Sequence, residues 1–140
     1  NPHRHEMALL DAIVWHTPDF SQGIAIWRVR NDEFWIRGHF PGKPLLPGVL
    51  QVEAGAQLGV FLYNSRFAHP RICAFTHIEE CCFRNPVAPG DMLYLLAQEI
   101  KFQNRRFTSR IQGYVEQPGA APGSGKIAFE ATITGMSLER

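Results

Sequence analysis

The sequence predicts an α+β domain in which an antiparallel β-sheet wraps a central α-helix. Two observations carry this expectation. Residues 47–63 form one proline-free apolar stretch after Pro47, and the residues that follow divide into consecutive strand-like segments separated by turn residues. Taken in order, residues 7–15 form an apolar entry segment that fits a short helix or a strand equally. Residues 23–30 alternate, with Ala25, Trp27 and Val29 on one face and Ile24, Ile26, Arg28 and Arg30 on the other, as a partly buried strand requires. Residues 34–37 read as a second short strand. Pro47 suits the first helical position, and the helix that follows rises over about 25 Å. Apolar or small side chains cover nearly all its sides, the pattern of a helix enclosed by other structure. Gly55 and Gly59 each lower helix propensity by about 1 kcal/mol relative to alanine, so a sheet or a second chain is expected to press against them. Strands are predicted over residues 71–83, 92–103, 107–117 and 126–138. Their turns lie at Asn85-Pro86, Ala88-Pro89-Gly90-Asp91, Asn104-Arg105-Arg106 and the Pro/Gly-rich stretch 118–125.

Composition narrows the classes of function. A chain of 140 residues that is 45% hydrophobic suits one domain, 1–140, with its own core, small enough that oligomerisation adds useful burial. A net charge of +1, with basic residues scattered rather than clustered, provides no field for nucleic acid. The longest apolar stretch, 49–63, is interrupted by Gln51, Glu53 and Gln57 and is too short to span a bilayer, so no membrane association is expected. Three cysteines, Cys73, Cys81 and Cys82, are odd in number and two are adjacent, which fits reduced thiols and a cytoplasmic setting. On a strand, Cys81 and Cys82 are expected to face opposite ways, one to the core and one to the surface. The chain begins Asn1-Pro2 without a signal-type segment. His3 and His5 have a metal-compatible spacing but no supporting acid or cysteine, so they read as solvated and no metal site is expected.

One run concentrates the chemistry: Gly38-His39-Phe40-Pro41-Gly42-Lys43-Pro44-Leu45-Leu46-Pro47-Gly48-Val49-Leu50-Gln51-Val52-Glu53-Ala54-Gly55-Ala56-Gln57. It resembles the β-hydroxyacyl-(acyl carrier protein) dehydratases of the FabZ type. Their signature, His-Phe-Pro-Gly-x-Pro-x-x-Pro-Gly-Val-Leu followed by Glu and Ala-Gln, is met at every fixed position. The resemblance continues in Phe83-Arg84-Asn85-Pro86-Val87-Ala88-Pro89-Gly90-Asp91, similar to the family's Phe-x-x-Pro-Val-x-Pro-Gly-Asp segment. It implies the hotdog fold and dehydration of a (3R)-3-hydroxyacyl-[acyl carrier protein] to the trans-2-enoyl thioester, in fatty acid or related lipid biosynthesis. It also implies a substrate carried on phosphopantetheine, with no metal or redox cofactor. Carried over residue by residue, His39 and Glu53 would be the catalytic pair, contributed by different subunits of a homodimer. Gly48 would be the main oxyanion donor, Leu45 a carbonyl partner for the histidine, and Gln57 a support for the glutamate. Trimers of dimers also occur among relatives.

The same residues fit the chemistry without the family. Removing water from a 3-hydroxyacyl thioester needs a base for the C2 proton, donors for the enolate-like oxygen and an acid for the departing hydroxyl. His39, in a proline-stiffened loop, suits the base. The backbone amides of Gly48 and Val49 open the helix, so its positive end can face an oxyanion. Glu53 sits in an apolar helix, where desolvation favours its proton-donating form, and Gln57 at i+4 is placed to orient it. Phe75, Ile78, Phe83 and Phe102 are candidates for an acyl tunnel. Arg84, Lys101, Arg105 and Arg106 are candidates for contact with an acidic acyl carrier protein.

Departures from the family pattern fall at the N-terminus, where Glu6 and Ala12 replace a proline and an arginine, and at Ala74, where many relatives keep a gating tyrosine. They bear on chain length and pathway and leave the His39–Glu53 pair untouched. Two rivals remain in view: a hotdog thioesterase, which activates water with a carboxylate and has no need of the His-Phe-Pro-Gly loop, and a non-catalytic acyl-binding subunit.

Overall fold

A computed structural model describes residues 8–36, 39, 42–69, 71–121 and 123–138. The chain forms β1 (Ala12–His16), β2 (Gln22–Arg28), α1 (Gly48–Asn64), β3 (Cys73–Phe83), β4 (Met92–Phe102), β5 (Arg106–Glu116) and β6 (Lys126–Ser137). The six strands make one antiparallel sheet in the order β1-β2-β4-β5-β6-β3. The helix packs on β2, β4, β5 and β6. Helix and sheet thus form the expected layers, and the ambiguous entry segment resolves as strand β1.

Period-2 alternation builds the inner face of the sheet. Leu93 and Leu95 of β4, Phe107 and Ile111 of β5, and Phe129 and Ile133 of β6 meet Leu58, Leu62 and Tyr63 of α1, all 2% exposed or less. Two cross-strand pairs place an aromatic ring over a glycine. Phe129 pairs with Gly113 and Phe107 with Gly135, and a Cβ at either glycine would fall 2.5 Å and 2.7 Å from the facing ring. The small residue makes room for the large one on the concave face.

The structure corrects three expectations. Residues 34–36 form a turn rather than a strand: the Ile36 amide donates to the Glu33 carbonyl at 3.1 Å, and the Glu33 carboxylate accepts from Trp27 Nε1 at 3.0 Å. Residue 37 lies outside the described residues. Pro47 caps the helix rather than opening it. Cys81 and Cys82 are both exposed, because β3 is an edge strand away from the helix and all its residues from Thr76 to Phe83 are exposed; it is also irregular between Glu79 and Cys82, with Glu80 at a positive φ of 50°. A bulge of this kind breaks strict alternation.

Gly55 does meet the sheet closely, since a Cβ there would lie 2.8 Å from Ile111 Cδ1. At Gly59 the nearest atom would stand 3.4 Å away, an ordinary contact, so the expected pressure applies to one glycine only.

Candidate active site

The loop before α1 is tied in place by backbone. His39 N–H donates to the Trp35 carbonyl at 3.1 Å, Leu45 N–H to the His39 carbonyl at 2.8 Å and Leu46 N–H to the Val87 carbonyl at 2.7 Å. This last bond joins the two motif segments recognised in the sequence. His39 Nδ1 lies 2.9 Å from the Leu45 carbonyl oxygen. A carbonyl only accepts, so Nδ1 carries the proton and the neutral ring keeps its lone pair at Nε2.

The helix opens next to this histidine. Pro47, at the capping position, makes no side-chain hydrogen bond to the helix start and no acidic residue occupies the first turn, so the first amides, those of Gly48 and Val49, form an anion-attracting end. His39, Leu45, Gly48, Val49, Gln51, Phe83, Arg84 and Asn85 line one hollow of about 530 Å³. Phe83 closes one side so tightly that a Cβ on Gly48 would lie 2.6 Å from its ring.

Glu53 is half-buried on the second turn of the helix. Gln57 Nε2 donates to Glu53 Oε1 at 3.2 Å, while Gln57 Oε1 accepts from the Leu9 amide at 3.2 Å. The Leu9 bond fixes which way the amide faces, so the nitrogen is the end turned to Glu53. Glu53 lines a second hollow, of about 250 Å³ and mostly apolar, with Val49, Val52, Ala56, Phe75, Ile78, Cys81, Phe83 and Ile133. Val49 and Phe83 line both hollows. Within one chain, then, the histidine and the glutamate open onto adjoining spaces that share a wall. Partial desolvation at this wall, helped by neighbouring Cys82, pushes the Cys81 thiol up from its ordinary pKa, keeping it protonated at neutral pH.

Three of the four expected tunnel residues, Phe75, Ile78 and Phe83, thus surround Glu53. Phe102 does not: it packs 5.6 Å from Tyr63 and 6.0 Å from Phe67, beneath the Arg66 guanidinium. Phe102 ends β4 beside Tyr63 at the C-terminal end of α1, whereas Glu53 sits near the start of that helix. The expected carrier-protein residues also separate. Arg84 borders the histidine hollow and pairs with Glu130 at 2.7 Å. Lys101 and Arg106 instead line a distinct polar hollow with His77, Glu79 and Thr108, and Arg105 lies exposed in the turn between β4 and β5. Sequence reading missed Gln51 and Asn85 as lining residues. Asn85 sits in the Phe83–Asp91 motif, where its Nδ2 donates to the Ile127 carbonyl at 2.7 Å.

Among the described residues no three His, Cys, Asp or Glu side chains gather as metal ligands, and no helix is long and apolar enough to cross a membrane. His3 and His5 lie outside the described residues.

A model of the FabA-like domain family matches residues 1–131. The chain belongs to this family. Solved structures share its hotdog architecture at low identity. The dehydratase heterocomplex ApeI:P from Xenorhabdus doucetiae is similar with a TM-score of 0.74 and 12% identity, covering 99% of this chain and 88% of that one. The TT0310 protein from Thermus thermophilus follows at 0.67 and 17%, over 97% and 100%. The hexameric thioesterase y2039 from Yersinia pestis matches at 0.60 and 19%, over 73% and 81%. FabA-like membership and the hotdog fold leave the reaction itself to the site.

Proposed function

We propose that this FabA-like protein dehydrates (3R)-3-hydroxyacyl thioesters, carried on the phosphopantetheine of an acyl carrier protein, to trans-2-enoyl thioesters for fatty acid or related lipid synthesis. The observation that carries the reading is the 2.9 Å bond between His39 Nδ1 and the Leu45 carbonyl, which leaves Nε2 as the basic nitrogen of a ring that lines the same hollow as the start of α1. His39 Nε2 takes the C2 proton. The C–H electron pair becomes the C2=C3 bond by way of an enolate-like state, and the Gly48 and Val49 amides hold the charge on the thioester oxygen. The C3–O bond breaks as Glu53 gives its proton to the hydroxyl, which leaves as water. Passage of the proton from His39 to solvent and uptake of one by Glu53 restores the site.

The minimal enzyme in this reading is a homodimer in which the histidine of one chain meets the glutamate of the other. Support comes from β3, an edge strand with exposed Ile78 (56%) and Phe83 (54%) that both line the Glu53 hollow, so a partner laid along this edge would enclose it. A trimer of such dimers is a compatible larger assembly.

The competing reading is a thioesterase in which Glu53, held by Gln57 beside an apolar hollow, activates water at the thioester carbonyl. Enoyl absorbance and free thiol, followed together on 3-hydroxyacyl carrier-protein and coenzyme A substrates, separate the two. The expected result is enoyl formation that His39→Ala and Glu53→Gln both abolish. Thiol release without enoyl would replace the dehydratase by the thioesterase, and silence from a folded protein would point to an acyl-binding subunit.

A further inference from the structure

Gln51 is only 4% exposed and sits one helical turn after Gly48, on the same side of α1. Its Nε2 donates to the Leu46 carbonyl at 3.2 Å. Because that carbonyl only accepts, the amide orientation is fixed and Oε1 occupies the other corner. Oε1 is enclosed and meets no hydrogen-bond donor among the described residues. Native proteins seldom bury an acceptor with its bond unmade, and each such group has a cause in strain, a functional role or a partner such as water or a ligand.

The residue lines the hollow that also holds His39, Gly48, Arg84 and Asn85. This hollow therefore offers donors at the helix start and, one turn further on, a lining side chain whose enclosed acceptor a ligand donor reaches by a small shift of the Gln51 side chain. A ligand that satisfies both must carry an acceptor and, a few atoms away, an N–H or O–H. A thioester on a phosphopantetheine arm has this arrangement: the carbonyl oxygen, then sulfur, two methylenes and an amide N–H. The hydrocarbon chain has no donor to give and matches the apolar hollow around Glu53.

We propose that Gln51 Oε1 receives the first amide N–H of the carrier arm and so fixes the register of the thioester against the Gly48 and Val49 amides. The inference rests on the reading that the substrate is a thioester on such an arm. It assigns Gln51 to binding, so its loss should raise KM more than it lowers kcat.

The test uses ligands that can be neither dehydrated nor hydrolysed: the octyl thioether of N-acetylcysteamine, its analogue with CH2 in place of the amide N–H, and the 3-hydroxyoctyl counterpart, titrated calorimetrically into wild type and Gln51→Met. Wild type should bind the amide about tenfold more tightly than the ketone analogue, and Gln51→Met should bind both alike. Equal binding by wild type, as an ordered water on Oε1 would give, overturns the inference. So does coupling of Gln51 to the 3-hydroxyl instead of the amide, or failure of the amide ligand to bind. Should Gln51→Met not fold, the wild-type comparison decides alone. Amide preference in a protein that forms no enoyl would sink the dehydratase reading and leave this inference standing.

Discussion

At the scale of single residues, backbone carbonyls and amides direct the site. Leu45 sets the proton on His39, and Leu9 sets the face that Gln57 turns to Glu53. Replacing Gln57 by leucine removes the donor to Glu53 and strands the Leu9 amide. We expect a stability loss of about 1–3 kcal/mol in denaturant melts, with activity falling less than the roughly 10²- to 10⁴-fold expected when an acid or base itself is lost. Away from the site, hydrogen bonds from Ser21 and then Thr17 hold Asp19 down at about 2 from its ordinary 3.8. A depressed carboxyl contributes stability above its unfolded value, and that contribution disappears as pH falls through the folded one. Asp19→Asn should therefore lose less stability than wild type between pH 3.8 and 2, measured by chemical melts across that window. Equal losses would contradict the assignment. As candidates, His39, Gly48, Glu53 and Gln57 were legible from sequence because they lie close together in one loop-and-helix run, and Leu45 through the family resemblance. Gln51 was not, since a polar residue inside an apolar helix looks the same whether its far end is paired or vacant.

At the scale of elements, every strand except β1, whose segment fits helix or strand equally, was legible to within a few residues from alternation and turn residues. Irregularities were not. The pairing of β4 shifts between Glu99 and Lys101, and that of β3 between Glu79 and Cys82. A bulge depends on pairing with a neighbour and leaves no mark in composition. The two helix glycines give a measurable contrast. Gly59→Ala adds a methyl at ordinary contact distance and should stabilise the protein by up to about 1 kcal/mol through helix propensity. Gly55→Ala drives a Cβ to 2.8 Å from Ile111 Cδ1 and should instead destabilise it. Thermal melts of the two variants check this, and a shift in the same direction for both would refute the packing argument.

At the scale of the whole molecule, one chain holds His39 and Glu53 in adjoining hollows and leaves the β3 edge open. Sequence periodicity speaks only to one chain's core, so the proposed second subunit rests on the family resemblance and on this open edge. A lysine at Ile78 places a charge on this edge, and sedimentation should show a folded monomer without dehydratase activity. A dimer of wild-type affinity would move the interface elsewhere.

The most direct measurement of a site shared between chains is enoyl formation after His39→Ala and Glu53→Gln chains, each silent alone, are mixed by joint refolding. Random pairing gives half mixed dimers, each with one site carrying both intact residues, so about a quarter of wild-type activity should return. A mixture as silent as its components would contradict a histidine and a glutamate that act across the interface.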